Sequence, residues 1–168
     1  MATTHVIQPF SIAGQPPYTS IPVKLGTLPA SQTFVRGALL TRSSGRLVEA
    51  GTDPVLVLGV ALHRAKDPRA GSSSVAGDPV QYIPTIWSLE FEANLMGAAA
   101  ANYTLAQTDQ FITYGVAKDS TTGFWFIDQS DTTNDRVFIT DFVDPVGDVN
   151  ARVRCIFLAA VIAPALTS

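Results

Sequence analysis

Two histidines, one serine-rich loop and a late group of aspartates are the side chains in this 168-residue sequence whose types and spacing could do chemistry. Nucleophilic catalysis needs a nucleophile, a base and an orienting group brought together. His5 lies near the start, and His63 follows an apolar run ending at Ala61, where a hydrogen-bonded loop histidine is expected in preference to a general base. In Gly71-Ser72-Ser73-Ser74-Val75, Val75 stands where a nucleophile elbow needs its second glycine, and no strand-to-helix pattern surrounds it. Neither a Gly-rich run ending in Gly-Lys-Ser/Thr nor a GxGxxG pattern occurs. Asp128, Asp131 and Asp135 surround one turn, and Asp141, Asp144 and Asp148 the next. Oxygen-rich loops suit hard cations. This spacing matches no EF-hand, however, and aspartate is the ordinary residue of turns because its carboxylate accepts hydrogen bonds from nearby backbone amides. The reading is therefore a non-enzyme with no catalytic residues, no cofactor and no metal site.

Composition points the same way. Hydrophobic residues make up 46% and charged residues 15%, well below the usual quarter or so of charged residues. Some of that apolar surface is expected to meet a partner. With 11 basic and 14 acidic residues the net charge is -3, so the basic footprint of a nucleic-acid binder is missing. Arg152 and Arg154 stand two apart on an expected strand, as one solvated or subunit-facing row. The single cysteine, Cys155, sits in an apolar run and reads as a reduced core residue. The start Met1-Ala2-Thr3-Thr4-His5 lacks the features of a secretory signal, and Cys155 to Leu166, interrupted by Pro164, falls short of a membrane-spanning helix. No membrane association is expected.

The elements that would position these side chains are strands. Residues 1–23 carry Pro9, Pro16, Pro17 and Pro22 with no sustained period, and read as an extended arm. Phe10, Ile12, Tyr18 and Ile21 would be its anchors on a protein surface; an arm folded back on its own domain is the alternative. From there to residue 168 a β-rich domain is expected, divisible into modules of about 24–65 and 80–168. Strand signals cover 34–40, 46–49, 55–61, 80–83, 85–92, 111–117, 124–128, 136–143 and 151–162, with turn residues between them. Lys66 to Asp78 reads as an exposed loop. Two short helical pieces are expected, over Asn94 to Asn102 with its four alanines Ala98 to Ala101, where Gly97 is unfavourable, and over Thr104 to Asp109. Nine strands with turns every ten or so residues favour a barrel or sandwich. In Phe124-Trp125-Phe126-Ile127 both faces of one strand are apolar: one is core, and the other, carrying Trp125 or its neighbours, is a second core layer or the centre of a subunit contact.

Phe34-Val35-Arg36-Gly37-Ala38-Leu39-Leu40, then Gly45-Arg46-Leu47-Val48-Glu49-Ala50-Gly51, then Val57-Leu58-Gly59-Val60-Ala61 resemble the head-decoration proteins of tailed bacteriophages. An apolar residue and Gly before a strand, a Gly turn, an Ala-Gly step and a Leu-Gly-Val-Ala strand recur there. The resemblance covers about residues 30–64, with a vaguer likeness over Asp135 to Leu158. It implies a small β-barrel or β-tulip-like domain that trimerises on the outer surface of an icosahedral virion and cements neighbouring copies of the major capsid protein. At about 3.3 Å per residue, twenty residues of arm would reach on the order of 65 Å, enough to touch a neighbour. Removing the arm would then weaken capsid binding and leave the domain folded. Another virion component, of tail or head-completion type, and a ligand-binding β-barrel are the alternative readings.

Overall fold

Short apolar runs that alternate with polar residues must bury one face, and here they do so by pairing with runs far away in sequence. The computed structural model describes residues 2–13, 22–65, 73–86 and 88–162. Among these residues the strands are β1 (Ser11–Ile12), β2 (Lys24–Thr27), β3 (Leu39–Ser43), β4 (Arg46–Glu49), β5 (Gly59–Ala61), β6 (Pro79–Pro84), β7 (Phe91–Met96), β8 (Thr113–Lys118), β9 (Trp125–Asp128), β10 (Val137–Phe142) and β11 (Arg152–Phe157). Two single 3-10 turns, Ala98–Ala100 and Gln107–Asp109, are the helical pieces among the described residues.

Five strands close a barrel in the order β7, β11, β10, β8, β9. All neighbours are antiparallel except at the closing seam, where Leu95 and Met96 of β7 pair in parallel with Ile127 and Asp128 of β9. The period-two alternation of β11 shows why it sits where it does: Val153, Cys155 and Phe157 point into the barrel, and Arg152, Arg154 and Ile156 point outwards. β1 adds to β7 through Ser11–Glu92 and Ile12–Phe91. The other five strands form a second antiparallel sheet, β2-β6-β5-β3-β4, in which β5 is buried along its whole length.

The two sheets are not separate modules, because one contiguous cluster of buried apolar side chains takes members from both, including Leu28, Phe34, Leu39 and Val60 from the first half and Phe91, Trp125, Ile139 and Phe157 from the second. Polar contacts bridge the sheets at the core's margin. Glu49, at the end of β4, accepts from the Lys118 ammonium at 2.8 Å and from the Trp125 indole N–H at 3.1 Å. Arg136 reaches Asp53 at 2.8 Å.

The described part of the N-terminal segment is part of this fold. Phe10 is 1% exposed, with its ring 6.1 Å from that of Phe157, which in turn meets Phe91 edge-on at 5.4 Å. Gly37 makes room for it: its φ is +81°, and a Cβ there would stand 2.6 Å from Pro9 Cβ and 2.8 Å from the Phe10 amide. The expectation of a free arm over residues 1–23 is therefore corrected for residues 2–13, which lie on their own domain. A proline-rich run without periodicity conceals the one aromatic side chain that the core needs. Tyr18 and Ile21 fall outside the described residues.

Other boundaries moved for local reasons. The strand expected over 34–40 begins only at Leu39, because Gly37 turns the chain. The strand expected over 55–61 shortens to Gly59–Ala61, with Val57 making an isolated parallel bridge to Ile162. The alternating run over 85–92 pairs from Phe91, and the helix expected over 94–102 is reduced to the 3-10 turn Ala98–Ala100: Asn94 to Met96 complete β7, and Ala99 and Ala100 take left-handed backbone angles, φ 52° and 61°. Alanine there costs about 1 kcal/mol or more per residue, so tertiary pairing overrides helix propensity. β1 and β2 had no signal above the proline-rich background.

One buried carboxylate organises the turn before β8. Asp109 is 2% exposed and accepts the Tyr103 hydroxyl at 3.0 Å, the Tyr114 hydroxyl at 2.8 Å and the Ala106 amide at 2.8 Å. Burial, with the hydrogen bond to Asp109 and its charge, pushes the Tyr103 phenol up to about 12 and raises Tyr114 as well.

Two substitutions test this architecture by chemical denaturation. Phe10→Ala should lower the unfolding free energy by about 3–5 kcal/mol, the usual cost of deleting a buried phenylalanine ring, whereas an arm resting on the surface would cost almost nothing. Asp109→Ala strands two tyrosine hydroxyls and should cost on the order of 3 kcal/mol.

Candidate functional site

The groups with chemical potential do not converge on one site, and most have a structural partner, although Asp135 Oδ1 is buried without a hydrogen-bond partner. His63 is exposed, with Nε2 3.0 Å from Gln81 Oε1. His5 lies between Asp144 and Asp148, on the opposite sheet system. In the serine-rich loop, Ser74 accepts from the Gln32 amide and donates to the Pro29 carbonyl at 2.6 Å, so it serves as a fastener between chain segments.

The late aspartates behave as turn residues. Asp128 accepts from the Ser130 amide and hydroxyl, and Asp131 from the Thr133 and Asn134 amides. Burial raises the Asp131 carboxyl, but the hydrogen bonds from Asn134 and Thr133 and the Arg136 charge outweigh it and hold it below the usual range. Asp141 accepts its neighbour's amide, that of Phe142, and Asp144 is held by Arg152 through contacts of 3.2 and 3.1 Å and by the Arg152 amide at 2.8 Å. Among the described residues no group of three or more His, Cys, Asp and Glu side chains is arranged to hold a metal ion. Cys155 is buried, and burial pushes its thiol far up.

Of the residues expected to touch a partner protein, the three that are described, Phe10, Ile12 and Trp125, do not meet on the surface. Phe10 is core, and Ile12, in β1, is partly buried against that core. Trp125 is 1% exposed and points into the barrel beside Ile127, so of the two alternatives for this strand the second core layer holds, and Trp125 is not a surface residue of this chain. Phe126, on the other face of β9, is also fully buried, so both faces of that strand are core within one chain. The sequence shows two apolar faces on this strand but not that both are covered by the same chain. Arg154, at the expected solvated row, reaches Glu92 at 3.7 Å and Asp141 at 3.9 Å.

The surface that the sequence analysis missed lies on the outside of the barrel, where β10 meets the chain entering β8. Phe111 is 62% exposed, and its ring stacks on that of Phe138 with centroids 6.3 Å apart and planes 27° apart. Phe138 is half-buried on the outer face of β10, opposite Thr113 of β8 on one side and Ile156 of β11 on the other. Ile112 is exposed next to Phe111. The backbone here is pinned, since the Phe111 amide donates to the Ile139 carbonyl and the Ile139 amide to the Ile112 carbonyl, both at 3.0 Å.

Phe111 also has φ +64°. A bulky side chain in the left-handed region is an outlier, and strain of this sort is retained where surrounding structure or function demands it. Here it displays an aromatic ring in solvent. Exposed aromatics that are rigid and supported from behind are the residues that dominate protein–protein contacts. A signal was present in Gln110-Phe111-Ile112, where a turn precedes two apolar residues, but periodicity assigns Phe111 to the start of a buried strand.

Among the described residues no helix is long and apolar enough to cross a membrane. Neither the models of known protein families nor the curated protein sequences match this chain.

Proposed function

We propose that this protein is a structural component of a virion, one that binds the outside of an icosahedral bacteriophage capsid as a homotrimer and cements neighbouring major capsid subunits. Two things support the reading: the resemblance of residues 30–64 to head-decoration proteins, and a surface built for protein contact. The single observation that carries it is the exposed Phe111 ring, held in a left-handed backbone and backed by Phe138. The ring's outer face, 62% of the residue being exposed, stays in water in a monomer, whereas a protein partner would bury it.

The mechanism is thermodynamic. A ligand that binds only the assembled shell stabilises it by mass action, and a trimer joins several weak contacts into avidity. No catalytic step enters. A ligand-binding barrel is the less favoured reading, because Leu95, Ile127, Val137, Ile139, Val153 and Cys155, which point into the barrel, are all inaccessible to a water-sized sphere, as in a packed centre and unlike a ligand cavity.

Light scattering of the purified protein should give three times the chain mass, and co-sedimentation with empty capsid shells from the same source should retain it on the shells. Phe111→Asn tests the surface, since asparagine tolerates the left-handed backbone. It should change the unfolding free energy by less than about 1 kcal/mol, as for an exposed position, while weakening shell binding at least about tenfold. Wild-type protein that ignores the shells overturns the capsid reading; wild-type that binds and Phe111→Asn that binds equally well overturns the assignment of the surface.

A further inference from the structure

The two halves of the chain repeat one topology. Numbered within each half, β2 to β6 and β7 to β11 both run first-fifth-fourth-second-third across their sheets, and every pairing along these orders is antiparallel. The repeat extends to single hydrogen bonds. The Gly37 amide donates to the Ala61 carbonyl at 2.8 Å and the Ala61 amide to the Ala38 carbonyl at 2.9 Å; in the second half the Phe111 amide donates to Ile139 and the Ile139 amide to Ile112. Gly37 and Phe111 both have left-handed backbones, φ 81° and 64°. Phe111 therefore holds in the second half the position of Gly37 in the first.

The same alignment gives two equivalent faces with opposite burial. Leu39 pairs with Val60 and Val60 with Ile83, as Thr113 pairs with Phe138 and Phe138 with Ile156. In the first half this face is closed. Leu39, Val60 and Ile83 are 0%, 2% and 3% exposed, within the core shared with the second half, and Pro9 and Phe10 lie on Gly37. In the second half it is open: Thr113, Phe138 and Ile156 are half-buried, and Phe111 and Ile112 are exposed. Where the first half has glycine beneath a covering segment, the second has a phenylalanine ring standing in solvent.

Within the chain the second half reaches the first through its β8–β9 hairpin. Lys118 donates to Glu49 at 2.8 Å and the Trp125 indole to the same carboxylate at 3.1 Å, and a Cβ at Gly123 would stand 3.8 Å from Val35. The corresponding hairpin of the first half, β3–β4, is basic, with Arg42 and Arg46 exposed. The acidic receptor is repeated too, since Asp128 closes β9 as Glu49 closes β4. Charge divides in the same sense: residues 22–86 hold seven basic and four acidic side chains, and residues 87–168 hold four basic and ten acidic. Opposite charge on the two halves favours the first half of one copy meeting the second half of another.

We infer that the open face of the second half, at Phe111, Phe138 and Ile156, receives the first half of a second copy of this chain, with the β3–β4 hairpin carrying Arg42 and Arg46 towards Asp128. This names the partner of the face that the proposed function treats as a protein contact; it rests on that reading but requires no capsid. Copies then join head to tail, each continuing the repeat of the one before. A heterologous contact of this kind closes into a ring when the rotation between copies permits, and a ring of three copies is the proposed homotrimer.

Light scattering of the full chain without shells, over a range of concentrations, tests this with two variants. Phe111→Asn blocks the face, and the double variant Arg42→Glu, Arg46→Glu reverses the charge of the hairpin. Both alter exposed positions and should unfold at nearly the wild-type denaturant concentration. Wild type should assemble, and each variant alone should need at least about tenfold more protein to do so. Mixed in equal amounts, the two variants should pair and give twice the chain mass, because each supplies the surface that the other lacks; a contact between like faces gives no such recovery. A monomeric wild type, a variant that assembles as wild type does, or a mixture that stays monomeric overturns the inference. Shell binding separates it from the capsid reading. Phe111→Asn that keeps its mass but loses the shells assigns the face to the capsid and overturns the inference, whereas wild type that assembles but ignores the shells removes the capsid reading alone.

Discussion

Burial of Phe10 against Phe157 is the contact on which the rest of the arrangement turns, because it draws the N-terminal segment onto β7 and β11, strands remote in sequence. A phenylalanine ring removed from water contributes roughly 2–3 kcal/mol before packing is counted, a large share of the marginal stability of a small domain. Once Phe10 is seated, Ser11 and Ile12 fall beside the edge of β7, and residues 3–8 fall beside Val149 and Asn94. Gly37 is the counterpart of this contact. Its left-handed backbone and missing Cβ let Pro9 and Phe10 approach closely, and the same turn delays the start of β3 to Leu39.

Several polar groups at the margin of this core are paired across segments, although Asp135 Oδ1 and Thr140 Oγ1 are buried without a hydrogen-bond partner. Glu49 joins Lys118 to the Trp125 indole, Asp109 joins two tyrosines to a backbone amide, and Asn94 joins the N-terminal segment at Gln8 to Asn150. Each of these groups would be costly to bury alone, and each ties segments that local propensity leaves unconnected. Aspartates that a sequence offers as a cation site are in use as turn caps and as partners of Arg152 and His5.

The outer face at Phe111 and Phe138 is one of the places where local preference is overruled. Its ring stands in solvent on a left-handed backbone, while Trp125 and Phe126, the residues with the richest aromatic pattern, are consumed by the core. An exposed aromatic ring backed by a second one is the physical reason for proposing this face as a contact surface.

Some of this was decided by the sequence alone. Alternation in Arg152 to Phe157 specified a half-buried strand, because a period of two leaves no other way to bury Val153, Cys155 and Phe157 together, and Gly, Asp and Pro at ten-residue intervals specified a mainly β fold closed by turns. The turn role of the late aspartates was legible for the same local reason. What only tertiary structure decided was which runs pair and which faces they share. Barrel closure by a parallel β7–β9 seam, the union of both sheets in one core, the strand within Asn94 to Met96 in place of a helix, and the place of Phe10 all rest on partners remote in sequence. The exposed Phe111 belongs with these, since an apolar residue at a strand's start reads as buried until a left-handed turn points it outwards.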